Sequence, residues 1–331
     1  MREAVTTVAE ELAPAQNTRC TICGGVSMHQ LWLAKGYDYW ACHHCNFVNV
    51  APVPQEAVLK DYYAKSYAVD RMAYQRSTKK HAARDIRFLE QYEVPGRMLE
   101  IGSSWGFFLD AARRRGWHVK GIELSDAAAN WARKHLELDV TCGTVESSLL
   151  PGQYDVVVAW HVIEHVPDLI GFLKTVREVL RPGGLFAVRT PNIASVPAKI
   201  NGWAWQWVGA PAHLSLFSPR SLGLALEKNG FFVRHISTRR GDAHNPIFET
   251  LRCASLRLGI HRQIKKFLRL GPKDDVTTQN LHSRVIGRRS RMLWQLSKIF
   301  DAAAFPLYPV EKCINFMNGG PELFVVAERR A

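Results

Sequence analysis

The chain has little that would carry it into or across a membrane. None of its apolar runs approaches the roughly 18 residues of a spanning helix. The first fifteen residues contain three glutamates and no apolar signal-peptide core. Acidic residues are also few, 30 against 43 Lys and Arg, and the net charge is +13. We expect a cytoplasmic protein, with a membrane surface, a nucleic acid or an acidic substrate as the partner of its positive charge.

Two common phosphate-binding motifs are missing. Ser104 and Phe107 stand where a dinucleotide fingerprint following Gly102 requires glycine, and there is no Gly-Lys-Ser/Thr of a P-loop. What is present is an apolar strand that ends in the Gly102 turn, followed by a second strand that ends in the carboxylate of Glu123. This layout predicts a site for a ligand that carries a ribose but no pyrophosphate.

Four segments resemble the motifs of class I S-adenosylmethionine-dependent methyltransferases. Glu100–Gly106 is similar to the first motif, Tyr154–Ala159 to the fourth strand, His161–Asp168 to the segment after it, and Leu180–Arg189 to the fifth strand. They occur in order and with suitable spacing. The resemblance covers roughly residues 55–240 and resumes at the last strand, and it implies S-adenosylmethionine as the cofactor.

The alternation of elements predicts an α/β fold with a Rossmann-like sheet of seven strands. The resemblance implies that the last strand, at 321–328, is antiparallel. We divide the chain into a zinc-binding module, a linker with cofactor-covering helices, the methyltransferase core, a basic helical insertion and the final strand of the core. Their boundaries are 1–50, 51–92, 93–240, 241–318 and 319–331.

Several positions are expected to contact the cofactor. A carboxylate at 123 can accept both ribose hydroxyls, and a glycine at 102 lets the methionine half approach the backbone. The resemblance places Thr144 where an aspartate often faces the adenine, and Tyr62 and Tyr67 over the cofactor, although these tyrosines could equally pack on the sheet edge. The full set is Tyr62, Tyr67, Glu100, Gly102, Ser103, Gly106, Glu123, Leu124, Thr144, Val145 and Trp160.

Four cysteines form two C-x2-C pairs, Cys20 with Cys23 and Cys42 with Cys45, separated by 18 residues. This spacing predicts a structural zinc site with four thiolates and no open position. A module of about 50 residues needs the metal for its folding energy. The alternative is four reduced cysteines in a loop.

Candidate catalytic residues follow the fourth strand of the core and lie before the sixth. His161, Glu164 and His165 form an H-x-x-E-H string, but a preceding strand and Pro167 rule out the helix of a zinc protease. The string resembles that of ubiquinone-type O-methyltransferases, some of which hold a divalent metal there, and that of sugar methyltransferases. His213 is a second candidate base. A structural alternative is that Glu164 and His165 cap the next helix.

The insertion contains a basic stretch, residues 256–298, with eleven Lys and Arg and two acidic residues. One helical face carries Leu256, Ile260, Ile264, Phe267 and Leu268. This face predicts either packing on the core or on a sister chain, or contact of the basic helix with an anionic membrane, a lipid-linked acceptor or a nucleic acid. Trp203, Trp205 and Trp207 alternate ahead of His213 and suit an apolar or ring-shaped acceptor, and equally a hydrophobic lid or contact with a membrane.

Three functions remain open at this point. The first is methyl transfer to oxygen or carbon of a small-molecule, sugar, or lipid- or glycan-linked acceptor. The second is RNA or DNA methylation, which the absence of an Asp/Asn-Pro-Pro-Tyr tetrad at Thr190-Pro-Asn192 disfavours. The third is a binding protein without catalysis on a methyltransferase scaffold.

Overall fold

The structure, a computed structural model, describes residues 19–55, 57–59, 62, 71–148, 153–238, 313–317 and 319–331. Its strands are β1 (Met28–Ala34), β2 (Tyr37–Cys42), β3 (Val48–Val50), β4 (Arg97–Ile101), β5 (His118–Glu123), β6 (Val140–Cys142), β7 (Tyr154–Trp160), β8 (Leu180–Pro191), β9 (Ser215–Leu216), β10 (Phe231–Ser237) and β11 (Glu322–Arg329). Its helices are α1 (Arg71–Leu89), α2 (Phe107–Arg113), α3 (Asp126–Leu136), α4 (Leu169–Val179), α5 (Val196–Asn201) and α6 (Pro219–Lys228), with 3-10 turns at Ile163–His165 and Gly202–Ala204.

Seven strands form the predicted sheet, in the order β10-β11-β8-β7-β4-β5-β6. Strands β4 to β8 run parallel to one another, and β11 is antiparallel to both β8 and β10. The predicted Rossmann-like sheet with an antiparallel last strand is therefore confirmed.

Both faces of this sheet are buried, as the continuous apolar strands predict. Alternate residues of β7 illustrate this: Val156 and Val158 pack in the cluster that includes α1 and α2, whereas Val157 and Ala159 pack with α4 and α6. Helices thus cover both faces of the sheet, so a ligand can reach the sheet only at the ends of its strands.

The order of the strands changes direction between β4 and β7. From β4 the chain moves outward to β5 and β6, and then returns to the other side of β4 with β7. In open parallel sheets ligands bind at the carboxyl ends of the strands beside such a switch point. The turn at Gly102 and the segment after Trp160 flank this position.

A second sheet joins the cysteine-containing segment to the core. Its order is β1-β2-β3-β9, and β9 comes from the stretch that precedes α6. Val48 and Asn49 pair with Leu216 and Ser215. The buried Tyr39 hydroxyl also accepts a hydrogen bond from Ala210 N at 2.8 Å. The small N-terminal sheet is therefore completed by the core.

Two predicted features lie outside the described residues. They are the basic stretch 256–298 and Tyr67. Among the residues that are described, no helix combines the length and the apolar character needed to cross a membrane.

Candidate active site

The turn after β4 crosses over β5 and brings the first motif to the end of the sheet. Gly102 N and Ser103 N both donate to Ile122 O, at 2.8 and 3.0 Å. Gly102 has a φ of 72°, and a Cβ there would lie 2.5 Å from Val162 Cγ2. Glycine is required at 102 because the backbone is left-handed and the segment after β7 packs directly on it.

Glu123 ties the two ends of this turn together. Its Oε2 accepts from Ser104 N and its Oε1 accepts from Ser125 N, both at 2.7 Å, and the side chain is buried. Ser104 itself has a φ of 49°, a left-handed conformation that glycine adopts without strain. A carboxylate has about four acceptor sites, so each oxygen retains capacity for one ribose hydroxyl. The residues present therefore fit the sugar of S-adenosylmethionine.

Glu100 lies beneath the same turn and is buried. Its Oε2 has no hydrogen-bond partner among the described residues. Burial first, and the charge of Glu123 second, raise the pKa of the Glu100 carboxyl well above its usual range. A carboxyl held neutral here can donate a hydrogen bond, which its sequence position does not reveal.

The other candidate cofactor residues fall into different surroundings. A Cβ at Gly106 would lie 2.6 Å from Leu138 Cδ1 and 3.1 Å from Ala132 Cβ, so this glycine serves the packing of α2 on α3. Val145 and Ser103 are buried, whereas Leu124 and Thr144 are exposed. Tyr62 is half-buried in a helical turn. Trp160 stacks on Phe324 at 5.7 Å, and its Nε1 is without a hydrogen-bond partner in the described part of the chain.

His161 lies between two carboxylates. Its Nδ1 is 3.2 Å from Glu164 Oε1, and its Nε2 is 2.5 Å from Glu322 Oε1. Burial opposes the positive charge, but the carboxylates of Glu322 and Glu164 raise the pKa of His161 to about 10. Both ring nitrogens therefore carry protons at neutral pH, and His161 is an ion-paired cation rather than a base. The ring stacks on Trp207 at 5.3 Å and 7°.

Glu164 is fully buried and remains ionised. In addition to His161, it accepts a hydrogen bond from Thr190 Oγ1 at 3.0 Å. Burial raises its pKa, but the hydrogen bond from His161 and the surrounding imidazoles lower the pKa of Glu164 to about 2. Helix α4 is instead capped by Asp168, whose side chain accepts from Gly171 N. The alternative that Glu164 and His165 cap this helix is therefore wrong.

His165 and His213 meet beside this carboxylate, and their ring centroids are 4.7 Å apart. His165 Nδ1 is 3.0 Å from Ala212 O, and His213 Nδ1 is 2.8 Å from Trp207 O. A carbonyl only accepts, so both Nδ1 atoms carry hydrogen and the neutral rings have their lone pairs on Nε2. Burial lowers the pKa of His165, and burial together with the neighbouring imidazole of His165 lowers the pKa of His213 to about 4.

Three charged residues of this site were not predicted from the sequence: Asp85, Arg189 and Glu322. Arg189 is buried in β8, where its Nη2 donates to Asp85 Oδ2 at 2.8 Å, and its Nε is 3.6 Å from Glu322 Oε2. Asp85, Arg189, Glu322, His161 and Glu164 thus alternate in sign from α1 to the turn after β7. One feature of the sequence could have indicated a buried ion pair: Arg189 is a charged residue directly after the apolar run Leu185-Phe-Ala-Val.

The three alternate tryptophans have three different environments. Trp205 is buried, Trp203 is exposed, and Trp207 is half-buried with its ring stacked between His161 and His213. Only Trp207 therefore belongs to the cluster of catalytic candidates.

The four predicted zinc ligands form one cluster, with all sulfurs within 4.8 Å of one another. Cys20 Sγ is 3.6 Å from Cys45 Sγ, and Cys23 Sγ is 3.5 Å from Cys42 Sγ. A tetrahedral zinc ion with bonds of about 2.3 Å would separate its sulfurs by about 3.8 Å. Burial raises the pKa of the Cys45 thiol, so a cation is needed to hold it as a thiolate. The geometry and the donors fit a closed structural zinc site.

Comparison with known proteins agrees with this geometry. A methyltransferase domain family matches residues 72–236. The ubiquinone biosynthesis O-methyltransferase of Paramagnetospirillum magneticum is 30% identical over 188 residues, which are 52% of this chain and 72% of that protein. The enzyme of the same name from Aeromonas salmonicida is 37% identical over 103 residues, 29% of this chain and 43% of that protein.

Among solved structures, an S-adenosylmethionine-dependent methyltransferase from Mesorhizobium loti has a TM-score of 0.43 and 15% identity, and it covers 75% of this chain and 96% of its own. That similarity is too low to bear on function. Four observations agree: the matched domain, the identity to the Paramagnetospirillum enzyme, the strand order, and the motifs at the ends of β4 and β5. The chain therefore belongs to the class I S-adenosylmethionine-dependent methyltransferases.

Proposed function

We propose that the protein transfers the methyl group of S-adenosylmethionine to a hydroxyl group of a small-molecule acceptor. The observation that carries this proposal is the convergence of His165 and His213 on the buried carboxylate of Glu164, at the edge of the sheet where the cofactor motifs also end. Methylation of a hydroxyl requires removal of a proton, and this cluster has the groups to accept it.

The cofactor end of the site is formed by the turn after β4 and by Glu123. Glu123 binds the ribose hydroxyls, Gly102 gives the methionine half access to the backbone, and Leu124, Thr144 and Val145 border the adenine. When bound, the sulfonium supplies the methyl carbon, and its sulfur keeps the electron pair of the broken carbon–sulfur bond. Because Glu123 holds Ser104 and Ser125 in place, the ribose site is formed before the ligand binds.

The acceptor end is formed by the segments that follow β7 and precede β9. With S-adenosylmethionine bound, an acceptor hydroxyl held at this end would receive the methyl group, and its proton would pass to the histidine cluster and then to water. His165 and His213 each present an Nε2 that can accept this proton. His161 keeps Glu164 ionised, and the anion in turn stabilises a protonated imidazole beside it.

The relatives support oxygen as the methylated atom, since both are named ubiquinone biosynthesis O-methyltransferases. The indole of Trp207, stacked between His161 and His213, supports an acceptor with a flat or ring-shaped part. We therefore favour a cyclic hydroxyl compound over a nucleic acid.

The proposal can be tested with the purified full chain and methyl-labelled S-adenosylmethionine. The acceptors offered are catechols, free sugars and mixed oligonucleotides, and the labelled products are identified by mass. We expect label on a ring hydroxyl. Transfer only to oligonucleotides, or to nitrogen, would contradict the proposal.

Substitution at the cluster tests how the proton is removed. His213→Ala and His165→Ala should each lower turnover by roughly a hundredfold while the affinity for S-adenosylmethionine measured by calorimetry is unchanged. His118→Ala, at the opposite end of β5 and exposed, is the matched control. If both cluster variants turn over like the control, neither side chain takes part in removing the proton.

A further inference from the structure

Glu322 joins the last strand of the sheet to the segment that follows β7. It is the first residue of β11, and it is buried. Because β11 runs antiparallel to both of its neighbours, its first residue lies at the edge where the parallel strands end. Backbone contacts fix this position: Asn192 N donates to Pro321 O and Asn192 Nδ2 donates to Gly320 O, both at 2.8 Å. A residue distant in sequence therefore reaches the candidate active site.

His161, which Glu322 contacts, has a backbone conformation that side chains other than glycine rarely adopt. Its φ is 55°, in the left-handed region, and its N donates to Arg189 O at 2.8 Å. The next residue, Val162, packs against Gly102 in the turn after β4. Such a conformation costs free energy and persists only where surrounding contacts fix it. The contacts of the His161 side chain therefore help to hold this segment against the turn.

The His161 ring has a carboxylate at each nitrogen. Glu322 Oε1 lies 2.5 Å from Nε2, and Glu164 Oε1 lies 3.2 Å from Nδ1. Glu164 belongs to the H-x-x-E-H string and borders His165 and His213. Glu322 instead comes from outside the part of the chain that the methyltransferase domain family matches. Half of the ion pairing at this imidazole is thus supplied by a residue beyond the matched domain.

A buried arginine holds Glu322 in turn. Glu322 Oε2 is 3.6 Å from Arg189 Nε, and Arg189 Nη2 donates to Asp85 Oδ2 at 2.8 Å. The guanidinium lies over the rings of Trp160 and Phe324, 5.0 and 5.5 Å from their centroids. A buried charge keeps to its counter-ion because an unpaired charge is unfavourable inside a protein. The second oxygen of Glu322 is therefore directed at the imidazole.

The charges of this group depend on one another. Burial opposes a positive charge on His161, but the carboxylates of Glu322 and Glu164 outweigh burial and raise the pKa of His161 to about 10. Without the charge of Glu322, His161 would lose its proton at a lower pH, and Glu164 would lose its counter-ion. Charged or titratable side chains face His161 from β8, β11, the 3-10 turn and the loop before β9: Arg189, Glu322, Glu164, His165 and His213.

We propose that Glu322 is a positioning residue for methyl transfer. It keeps His161 charged and fixed, and the cation keeps Glu164 ionised. Glu164 then supports the two imidazoles, His165 and His213, that take up the proton of the acceptor. The role in turnover rests on the function proposed above; the ion pair with His161 does not.

The ion pair can be tested without an assay of turnover. Full-length protein is isotope-labelled on its histidine rings, and the titration of His161 is followed by NMR, with His161→Asn to identify its signals. In the parent protein these signals should stay constant between about pH 6 and pH 9, because the ring remains protonated. In Glu322→Gln they should titrate within this range. A His161 that titrates alike in both proteins would overturn the proposal.

A pH profile of turnover separates positioning from a merely structural role. Near pH 6 the imidazole is protonated in both proteins, and we expect Glu322→Gln to turn over within about threefold of the parent. Near pH 9 its turnover should be about tenfold to a hundredfold lower, the size of one lost hydrogen bond between charged groups. The affinity for S-adenosylmethionine should be unchanged. A loss of equal size at both pH values, or no loss at either, contradicts the proposal.

Two further variants control the test. Glu328→Gln removes a carboxylate from the same strand, where Glu328 pairs with Arg234 at 3.2 Å, and should match the parent in both measurements. Glu322→Asp keeps the charge but withdraws it by one methylene, so its titration and turnover should lie between those of the parent and Glu322→Gln. Should Glu322→Gln fail to bind S-adenosylmethionine, a sign of misfolding, Glu322→Asp is compared with the parent instead, and identical titration then overturns the proposal.

The outcomes separate this inference from the proposed function. Transfer of the label to nitrogen, with the expected titration and pH profile on that acceptor, would remove O-methylation and leave the role of Glu322 standing. Transfer to a hydroxyl, with the pH profile of the parent retained in Glu322→Gln, would remove the role of Glu322 and leave O-methylation standing.

Discussion

The carboxylate of Glu123 organises the cofactor end of the molecule. Its two oxygens contact both the turn after β4 and the start of α3, through Ser104 N and Ser125 N. We therefore expect it to contribute to affinity through its own hydrogen bonds and through the geometry of the turn.

Replacement of Glu123 by alanine should weaken the binding of S-adenosylmethionine about tenfold to a hundredfold. Hydrogen bonds to a charged group contribute about 1.5–3 kcal/mol. Titration calorimetry measures the change, and thermal unfolding detects any loss of stability. The control is Glu146→Ala, an exposed carboxylate three residues beyond Gly143. Equal affinity in the two variants would show that Glu123 does not bind the ribose.

Gly102 is constrained both by its own backbone and by its neighbour. Gly102→Ala places a Cβ at a φ of 72° and 2.5 Å from Val162 Cγ2. We expect a loss of about 1–3 kcal/mol in the free energy of unfolding, measured with denaturant. Val162→Ala in the same chain should restore only the part that is due to the clash. Gly223→Ala in α6, where nothing lies within 4 Å, should instead be neutral or stabilising by up to about 1 kcal/mol.

Asp155 connects three strands of the sheet near the end opposite the site. From β7 its Oδ2 accepts from Arg97 N at 2.7 Å, and its Oδ1 accepts from Arg181 Nε at 2.6 Å. Partial burial raises its pKa, but the hydrogen bonds and the charge of Arg181 outweigh this, and the pKa of Asp155 in the folded protein is lowered.

A lowered pKa in the folded state makes this contribution dependent on pH. It is complete above the unfolded pKa of about 3.9 and is lost as the pH falls through the lower value of the folded protein. Asp155→Asn should cost about 1 kcal/mol at pH 7, since the side chain is 25% exposed, and less at pH 3.

Denaturant unfolding at pH 7, 4 and 3 measures this difference. Asp139→Asn is the matched control because Asp139 pairs with Lys120 but is 65% exposed, and we expect a change below about 0.5 kcal/mol. A cost for Asp155→Asn that is constant over this range of pH would mean that its ionisation is not linked to folding.

At the scale of the whole molecule, the zinc-binding module contacts the segment around His213, which we propose to form the acceptor side of the site. β3 pairs with β9, Tyr39 accepts from Ala210 N, and Ser218 Oγ donates to Cys45 O at 3.3 Å. All three contacts are made by the segment that carries His213 or by the residues just after it. Loss of the module should therefore affect the acceptor before it affects the cofactor.

Cys42→Ser tests this separation. Removal of one thiolate should abolish tight zinc binding and unfold the module, because the metal supplies its folding energy. We expect turnover to fall at least tenfold while the affinity for S-adenosylmethionine changes less than about threefold; enzyme assays and calorimetry provide the two readouts. Cys313→Ser, an exposed cysteine outside the cluster, is the control. Equal losses of turnover and cofactor affinity would show that the module supports the entire fold.

Much of this architecture could be predicted from local pattern. The apolar runs of the sheet, the glycine turn at 102 and the C-x2-C spacing are each encoded within a few residues. The boundaries of the last strand agree closely: it is predicted at 321–328, and β11 spans Glu322–Arg329. Short-range periodicity and steric demands are sufficient to specify such elements.

The chemistry of the site could be predicted less well. His161 is a candidate catalytic residue in the H-x-x-E-H string, but the string does not predict that Glu322 from the last strand, together with Glu164, holds it as a cation. No spacing rule connects these positions. Nor does one predict that β9 completes the cysteine module's sheet, or that Asp85 and Arg189 lie next to Glu322.

Sequence alone therefore accounts for the class of fold, the cofactor turn and the cysteine quartet, because each depends on neighbours along the chain. The folded arrangement is needed to assign charge and direction to the histidines, because burial and the proximity of distant carboxylates set the pKa of an imidazole. The strand order of the sheet brings Glu322 to His161, and the loop before β9 brings His213 to Glu164. Those two long-range contacts give different charges and surroundings to histidines that look alike in the sequence.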